Sequence, residues 1–278
     1  MDGRSPRGAS TFLVGIDGSA QALAAARFTA ALAEARGADV MLASVHPQDV
    51  PSTAARLGVD EVDVEGVRRA VHAASSPSRG LHELAEREQA AMVAIGAPHR
   101  YGVGRLKPGG VADLLLHGTG RPVLVVGSDL PANGVRTVGV AHAGDPEGDE
   151  ALAAGAAWAD DLGAELRLVS VVEPGPAGPS APDELREGRR VERQHRLAAL
   201  ARRLPKPPRS HAHAVVAHPG PALVREGDEV DLLVLGSRGY GPPGSVLLGT
   251  VSRRVVAHAR CPVLVVPRAA AASQTAVA

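Results

Sequence analysis

Two short glycine clusters near the C-terminus carry the residue types best suited to chemistry. The first is Gly236-Ser237-Arg238-Gly239, and nine residues later comes Gly249-Thr250-Val251-Ser252. The first cluster leaves the end of an apolar segment, 231–235, that reads as a buried strand. Glycine has no Cβ, so the main chain there can come close to a bound group. The second cluster puts a glycine and two hydroxyls at the start of a helix, where unpaired N–H groups and the positive end of the dipole favour an anion. Strand, glycine loop and helix start together are a phosphate cradle.

The same arrangement occurs upstream at a constant offset of 140 residues: Gly236 against Gly96, Gly249 against Gly109, Pro262 against Pro122. Both copies end in Pro-Val-Leu-Val-Val. The beginnings correspond too. Thr11–Asp17 parallels Arg136–Ala141, and each leads into an Ala-rich segment closed by Gly37-Ala38-Asp39 or Gly163-Ala164-Glu165. The chain is a tandem duplication, with units near 1–130 and 134–268, a linker at 128–135 and a disordered tail at 269–278.

Strands are expected at 12–17, 39–45, 67–73, 91–95 and 122–126, then at 136–141, 165–172, 211–217, 231–235 and 262–266. Helices are expected at 20–36, 80–89 and 109–118, then at 147–162, 183–203, 220–227 and 249–258. Val- and Leu-rich strands without polar alternation imply burial on both faces, hence parallel strands covered by helices. Right-handed crossovers then give a doubly wound α/β sheet, with ligands outside the carboxyl ends of the strands.

Composition narrows the function classes. The 278 residues are 45% hydrophobic, and 30 Lys+Arg balance 30 Asp+Glu, so no net field draws nucleic acid or an anionic membrane. Aromatics at 2% leave little on which bases could stack. A single cysteine, Cys261, excludes an intrachain disulfide and multi-cysteine metal sites, and reads as a small buried hydrophobe. No apolar run approaches the roughly 18 residues of a membrane span, and residues 1–10 lack a signal-type apolar region, so a cytoplasmic location is expected. There is no Gly-Lys-Ser/Thr P-loop end, no Gly-x-Ser-x-Gly elbow and no His-Glu-x-x-His helix, so at most a slow ATPase is expected.

These motifs closely resemble the universal stress protein family in its tandem form. The resemblance rests on Ile16-Asp17-Gly18-Ser19, on the Gly-x2-Gly-x9-Gly-Thr run at 236–250, and on the closing Cys-Pro-Val-Leu-Val-Val strand. It implies two tandem Rossmann-like units, each a five-stranded parallel sheet flanked by helices. It also implies an adenine nucleotide, ATP with Mg²⁺, as ligand. In the family the first-strand Asp meets adenosine, and the glycine loop and helix start hold ribose and phosphates.

Carried over, the candidate contacts are Val140, Ala141, Gly236, Arg238, Gly239, Gly249, Thr250, Val251 and Ser252 in unit two. Asp17 is a weaker candidate in unit one, because Asp17-Gly18-Ser19 also reads as a helix entry with its cap. Unit one carries His99, Gly110 and Ala112 where unit two has Gly239, Thr250 and Ser252. Ala141 is read as replacing the Asp in unit two, and His142 as either near the nucleotide or in a loop. Arg186–Arg203 reads as a solvated helix face. Partners implied are the nucleotide, a pseudo-dimer formed by pairing Val123–Val126 with Val263–Val266, a further homodimer, and an unidentified protein. The alternative is an interaction module in which both sites have decayed.

Overall fold

The computed structural model describes residues 10–48, 58–97, 110–127, 130–174, 182–204, 209–237 and 248–267. Unit one contributes β1 (Thr11–Gly15), α1 (Ala20–Arg36), β2 (Asp39–His46), β3 (Arg68–Ala73), α2 (Pro77–Arg87), β4 (Met92–Gly96), α3 (Val111–Gly118) and β5 (Val123–Val126). Unit two contributes β6 (Thr137–Ala141), α4 (Pro146–Leu162), β7 (Glu165–Val172), α5 (Asp183–Arg202), β8 (Ser210–Val216), α6 (Pro219–Glu226), β9 (Leu232–Gly236), α7 (Thr250–His258) and β10 (Val263–Val266).

The strands form one ten-stranded sheet in the order β3-β2-β1-β4-β5-β10-β9-β6-β7-β8. Each half is a five-stranded parallel sheet. The halves join through an antiparallel β5–β10 pair, Leu124 opposite Leu264. Neither strand has polar edge residues, and pairing satisfies the main-chain groups that two open edges would leave bare.

Because strand side chains alternate, every central strand feeds two cores. Phe12, Val14, Leu42, Leu124, Val140 and Val234 face α1, α4 and the C-terminal half of α5, which buries Leu197 and Ala201. Leu13, Met41, Val93, Val125, Leu235 and Val265 face α2, α3, α6 and α7. The helices of one face therefore stand opposite those of the other across the sheet, and the carboxyl ends of the strands lie between them.

The two units also touch through helices. The Arg36 guanidinium lies 3.4 Å from the Trp158 ring centroid, with its Nε 2.6 Å from Asp161 Oδ2, joining α1 to α4. On the other face Arg253 Nη2 of α7 sits 3.0 Å from the buried Asp113 Oδ1 of α3.

Most element ends fall within a residue or two of expectation. The exception is α2, expected at 80 and beginning at Pro77. Ser76 caps it by accepting from Arg79 N–H at 3.3 Å, and Pro77 occupies the first turn, where its missing N–H costs nothing. The Ser-Pro pair is a helix start here rather than a break. Cys261 is buried as expected, and that burial pushes its thiol pKa up to about 12. Among the described residues no helix is long and apolar enough to cross a membrane, and no group of His, Cys, Asp and Glu could hold a metal.

Candidate functional site

In each unit the crossovers run outward in opposite directions from two adjacent central strands, β1 and β4 or β6 and β9. A crevice opens at their carboxyl ends, where doubly wound sheets hold ligands. In unit two this crevice is a cleft of about 550 Å³, within the size range of small-molecule sites. Its walls include Ala141 and His142 after β6, Leu235 and Gly236 at the end of β9, Val251 and Ser252 of α7, and three arginines of α5. A larger hollow of about 970 Å³ lies at the opposite, amino ends of β6 and β7, between linker and helices. It is the wrong end of the strands for a ligand of this fold class.

The start of α7 is the anion-favouring wall. Gly249 stands at its N-cap with φ −63° and ψ 155°, and no side chain caps the first turn. The first intrahelical bond shown for the turn is Arg253 N–H to Gly249 C=O at 2.9 Å, so the N–H groups of Thr250, Val251 and Ser252 have no helical acceptor. No acidic residue occupies this turn. Among the described residues these three donors have no acceptor, and the dipole favours an anion.

The structure assigns several expected residues a different task. The side chain of Ser252 is buried and donates its hydroxyl to Gly236 C=O at 3.0 Å, so its proton holds loop to helix. Thr250 is exposed and its side chain lies outside the cleft lining. Val140 is fully buried against Gly155. Gly236 lines the cleft, yet its missing Cβ answers to a neighbour: a Cβ there would stand 2.7 Å from Glu147 O, in the first turn of α4. Gly96 repeats this packing, with Ala22 N 2.6 Å from the would-be Cβ. These glycines let a helix start cross a strand end at close range. Arg238 and Gly239, with the Pro242-Pro243 spacer, His99 and Gly109, lie outside the described residues.

The sheet register also moves the position read as replacing Asp17. Phe12 pairs with Met92 as Val138 pairs with Leu232, and Ile16 N–H bonds Ala43 C=O at 2.8 Å as His142 N–H bonds Val169 C=O at 2.8 Å. Ile16 therefore corresponds to His142, and Asp17-Gly18-Ser19 to Ala143-Gly144-Asp145. Ala141 matches Gly15 instead. The correspondence is close in backbone terms: Gly18 has φ +80° and Gly144 φ +85°, a left-handed turn that favours glycine, and Ser19 and Asp145 are the two N-caps. The shorter segment chosen in sequence, 136–141, hid this match because loop residues 142–144 lack the apolar pattern of the strand.

In unit one Asp17 Oδ1 accepts the Ser19 N–H at 3.0 Å, and Ser19 Oγ accepts the Ala22 N–H at 3.1 Å, so this segment builds the helix entry. In unit two His142 is buried with both ring nitrogens engaged. Gly144 N–H donates to Nδ1 at 3.0 Å, which leaves the ring proton on Nε2, 3.0 Å from Asp149 Oδ1. Its carbonyl accepts Ser170 Oγ–H at 2.6 Å. His142 is a brace for the loop that carries Ala143.

Sequence reasoning missed the arginines. Leu197 and Ala201 continue backwards at helical spacing to Arg193 and Arg189, on one stripe of α5. The C-terminal half of that stripe lies on the core, whereas Arg189, Arg193 and Arg196 overhang the cleft. Arg193 Nη1 donates to Ala143 C=O at 2.6 Å. Arg189 Nη2 donates to Pro174 C=O at 3.3 Å, and its buried Nε has no partner among the described residues. The i, i+4 signal was in the sequence, masked by the charges around it.

The chain thus has a doubly wound, Rossmann-like α/β fold with a helix start at its switch point that no side chain among the described residues caps, an arrangement that favours an anion. The profile of the universal stress protein family matches residues 9–127 and again 134–267, and the chain belongs to that family in a two-unit form. It is 30% identical over 282 residues to a universal stress protein of Mycolicibacterium smegmatis, covering 91% of this chain and 96% of that one. It is 37% identical over 136 residues to a single-unit relative from Thermus aquaticus, covering 47% of this chain and 98% of the relative. A crystal structure of a universal stress protein from Archaeoglobus fulgidus superposes with a TM-score of 0.66 at 19% identity, covering 93% of this chain and 98% of that one, a likeness of fold.

Proposed function

We propose that this tandem universal stress protein binds an adenine nucleotide, ATP by preference, in its second unit and acts as a regulatory or protective factor whose surface changes with occupancy. The observation that carries this is the start of α7: a first turn with no capping side chain among the described residues, whose Val251 and Ser252 line a cleft of about 550 Å³ at the β6–β9 crevice. Adenine as the base follows from the family resemblance.

In this reading the first-turn amides of Thr250, Val251 and Ser252 and the glycine loop hold phosphates, and Mg²⁺ neutralises part of their charge. Asp17 takes no part, since it belongs to the helix entry of unit one. Binding rather than turnover is the expected activity, because the chain lacks the Gly-Lys-Ser/Thr end of a P-loop and no lysine lines the described part of the cleft. The paired β5 and β10 make the two units a pseudo-dimer within one chain, and the protein acts in the cytoplasm alone or as a homodimer.

The test is titration calorimetry with ATP on the full chain and on Thr250→Pro, with mass spectrometry of any ligand retained through purification. Proline is accepted at the first helical position and removes one N–H while leaving the helix intact. Binding that falls ten- to a hundredfold in the variant supports the reading. No heat with the parent protein, or identical affinity in both, defeats it and favours a surface-presenting interaction module. That second reading has its own observation, the absence of a carboxylate at Ala143 where unit one has Asp17.

A further inference from the structure

The second strand of unit two ends in a carboxylate that the phosphate-holding wall leaves unused. The order β8-β7-β6-β9-β10 makes β7 the neighbour of β6 on the side away from β9. Glu173 directly follows β7 and lines the cleft. In doubly wound folds of this strand order, an acidic residue at the end of the second strand accepts from the ribose hydroxyls of a bound nucleotide.

Side chains alternate along a strand, so Val169, Val171 and Glu173 share one side of β7, and all three line the cleft. Val169 and Val171 pack in the same core as α7, so this is the α7 side of the sheet. The start of α7 is fastened to the end of β9 by the Ser252 hydroxyl on Gly236 C=O. Two inter-strand spacings, about 10 Å in all, separate the ends of β9 and β7. A ligand held on α7 by its phosphates extends its nucleoside along the cleft towards Glu173.

Four carboxylates and three arginines line this cleft, so it offers no second surplus of positive charge. Asp145 accepts the Gly148 N–H at 2.9 Å, and Glu147 stands at the positive end of the α4 dipole. Glu192 pairs with Arg196, and Arg193 donates to Ala143 C=O. Glu173 has no hydrogen bond or ion pair among the described residues. Arg189 Nη2 donates to Pro174 C=O at 3.3 Å, which holds the main chain beside Glu173 without engaging the carboxylate. An ionised carboxylate only accepts, so the ligand groups that suit it are hydroxyls and amines.

Unit one has no such acceptor. Thr11 pairs with Asp39 as Thr137 pairs with Glu165. Ala74 N–H bonds His46 C=O at 3.0 Å as Ala217 N–H bonds Val172 C=O at 3.1 Å. Pro47 therefore corresponds to Glu173, and its ring accepts nothing.

We infer that Glu173 reads the sugar of the ligand: its carboxylate oxygens accept from the 2′- and 3′-hydroxyls of an unsubstituted ribose, so the cleft selects ribonucleotides over deoxyribonucleotides. This rests on the nucleotide reading above and names the residue that sets its sugar specificity.

The experiment is calorimetric titration of the full chain, Glu173→Ala and Glu173→Gln with ATP, 2′-deoxy-ATP, 3′-deoxy-ATP and ITP. The parent is expected to bind ATP about ten- to a hundredfold tighter than at least one deoxy analogue, as a hydrogen bond to a charged group requires. Glu173→Ala is expected to abolish that ratio, whatever uniform change the lost charge brings to all four ligands. Glu173→Gln, which keeps one acceptor oxygen, is expected to retain part of it. Equal binding of ATP and both deoxy analogues by the parent overturns the inference and leaves nucleotide binding standing. A ratio that survives Glu173→Ala also overturns it, since another group then reads the sugar. So does a variant that loses only discrimination between ATP and ITP, because the carboxylate then meets the adenine amine. If none of the four ligands binds, both readings fall. Thermal melts check folding, and if the alanine variant unfolds, the same ratio in Glu173→Gln decides.

Discussion

The two units share a backbone plan and differ in what occupies equivalent positions around the crevice. Asp113 stands in the first turn of α3 at the position that Arg253 holds in α7, 140 residues on. In unit one that carboxylate occupies the positive helix start, where it opposes a bound anion. In unit two the start is left open, and Arg253 reaches across to Asp113 at 3.0 Å. Asp17 in the one loop corresponds to Ala143 beside Arg193 in the other. Arg121, paired with Glu86 at 3.1 Å, corresponds to the buried thiol of Cys261. Duplication kept the scaffold and let charge at the two crevices diverge. On the proposed reading anion binding is thereby concentrated in one unit, and the carboxylate at the helix start of the other also helps to hold the halves together.

The strongest way to break this comparison is to remove the same N–H from both helix starts. Thr250→Pro should weaken nucleotide binding by about 1.5–3 kcal/mol, the worth of a hydrogen bond to a charged group, while Val111→Pro, at the first helical position of α3, should change affinity by nothing measurable by calorimetry. Equal losses would show that both units bind.

The converse test concerns what the units share. Gly96→Ala and Gly236→Ala each force a Cβ to within 2.6–2.7 Å of main-chain atoms of a helix start. Each should lower stability by about 1–3 kcal/mol, and chemical denaturation would measure it. A variant that lost only binding would return Gly236 to the ligand-contact role read from sequence.

The third test uses the thiol present in only one unit. Burial raises the Cys261 pKa to about 12, so the folded state keeps a proton that the unfolded chain releases near its ordinary value. The associated stability is complete below that ordinary value and falls as pH rises towards 12, by at most about 1.4 kcal/mol per pH unit. Cys261→Ala should flatten this slope in denaturation curves collected above pH 9, whatever its effect at neutral pH.

The smallest effect expected is at the asymmetric ion pair. A double-mutant cycle on Asp113→Asn and Arg253→Met should give a coupling of about 0.5–1 kcal/mol, since the arginine is partly exposed. Zero coupling would remove this pair from the contacts that join the units.

Much of this molecule was legible in the chain because it is written in local patterns. Apolar runs such as 231–235 and 262–266 specify buried strands, Ala-rich stretches between Ser19 and Gly37 or Asp145 and Gly163 specify capped helices, and the 140-residue offset exposes the duplication. The uncapped start of α7 was equally readable, since a glycine N-cap with no acid behind it is a sequence property. The α2 start at Ser76-Pro77 was lost because a Ser-Pro pair serves a break and a helix entry alike.

The site residues divide along the same line. Type and spacing determined that unit two would offer an anion a glycine loop and a helix start. Only the tertiary structure decided that Ala143, rather than Ala141, stands at the place of Asp17, because inter-strand register is a long-range property. It also decided that Gly236 is small for the sake of α4, that Ser252 spends its proton on a loop carbonyl, and that a stripe of arginines meets the crevice. Each depends on which distant segment packs opposite, and short-range pattern carries no information about that partner.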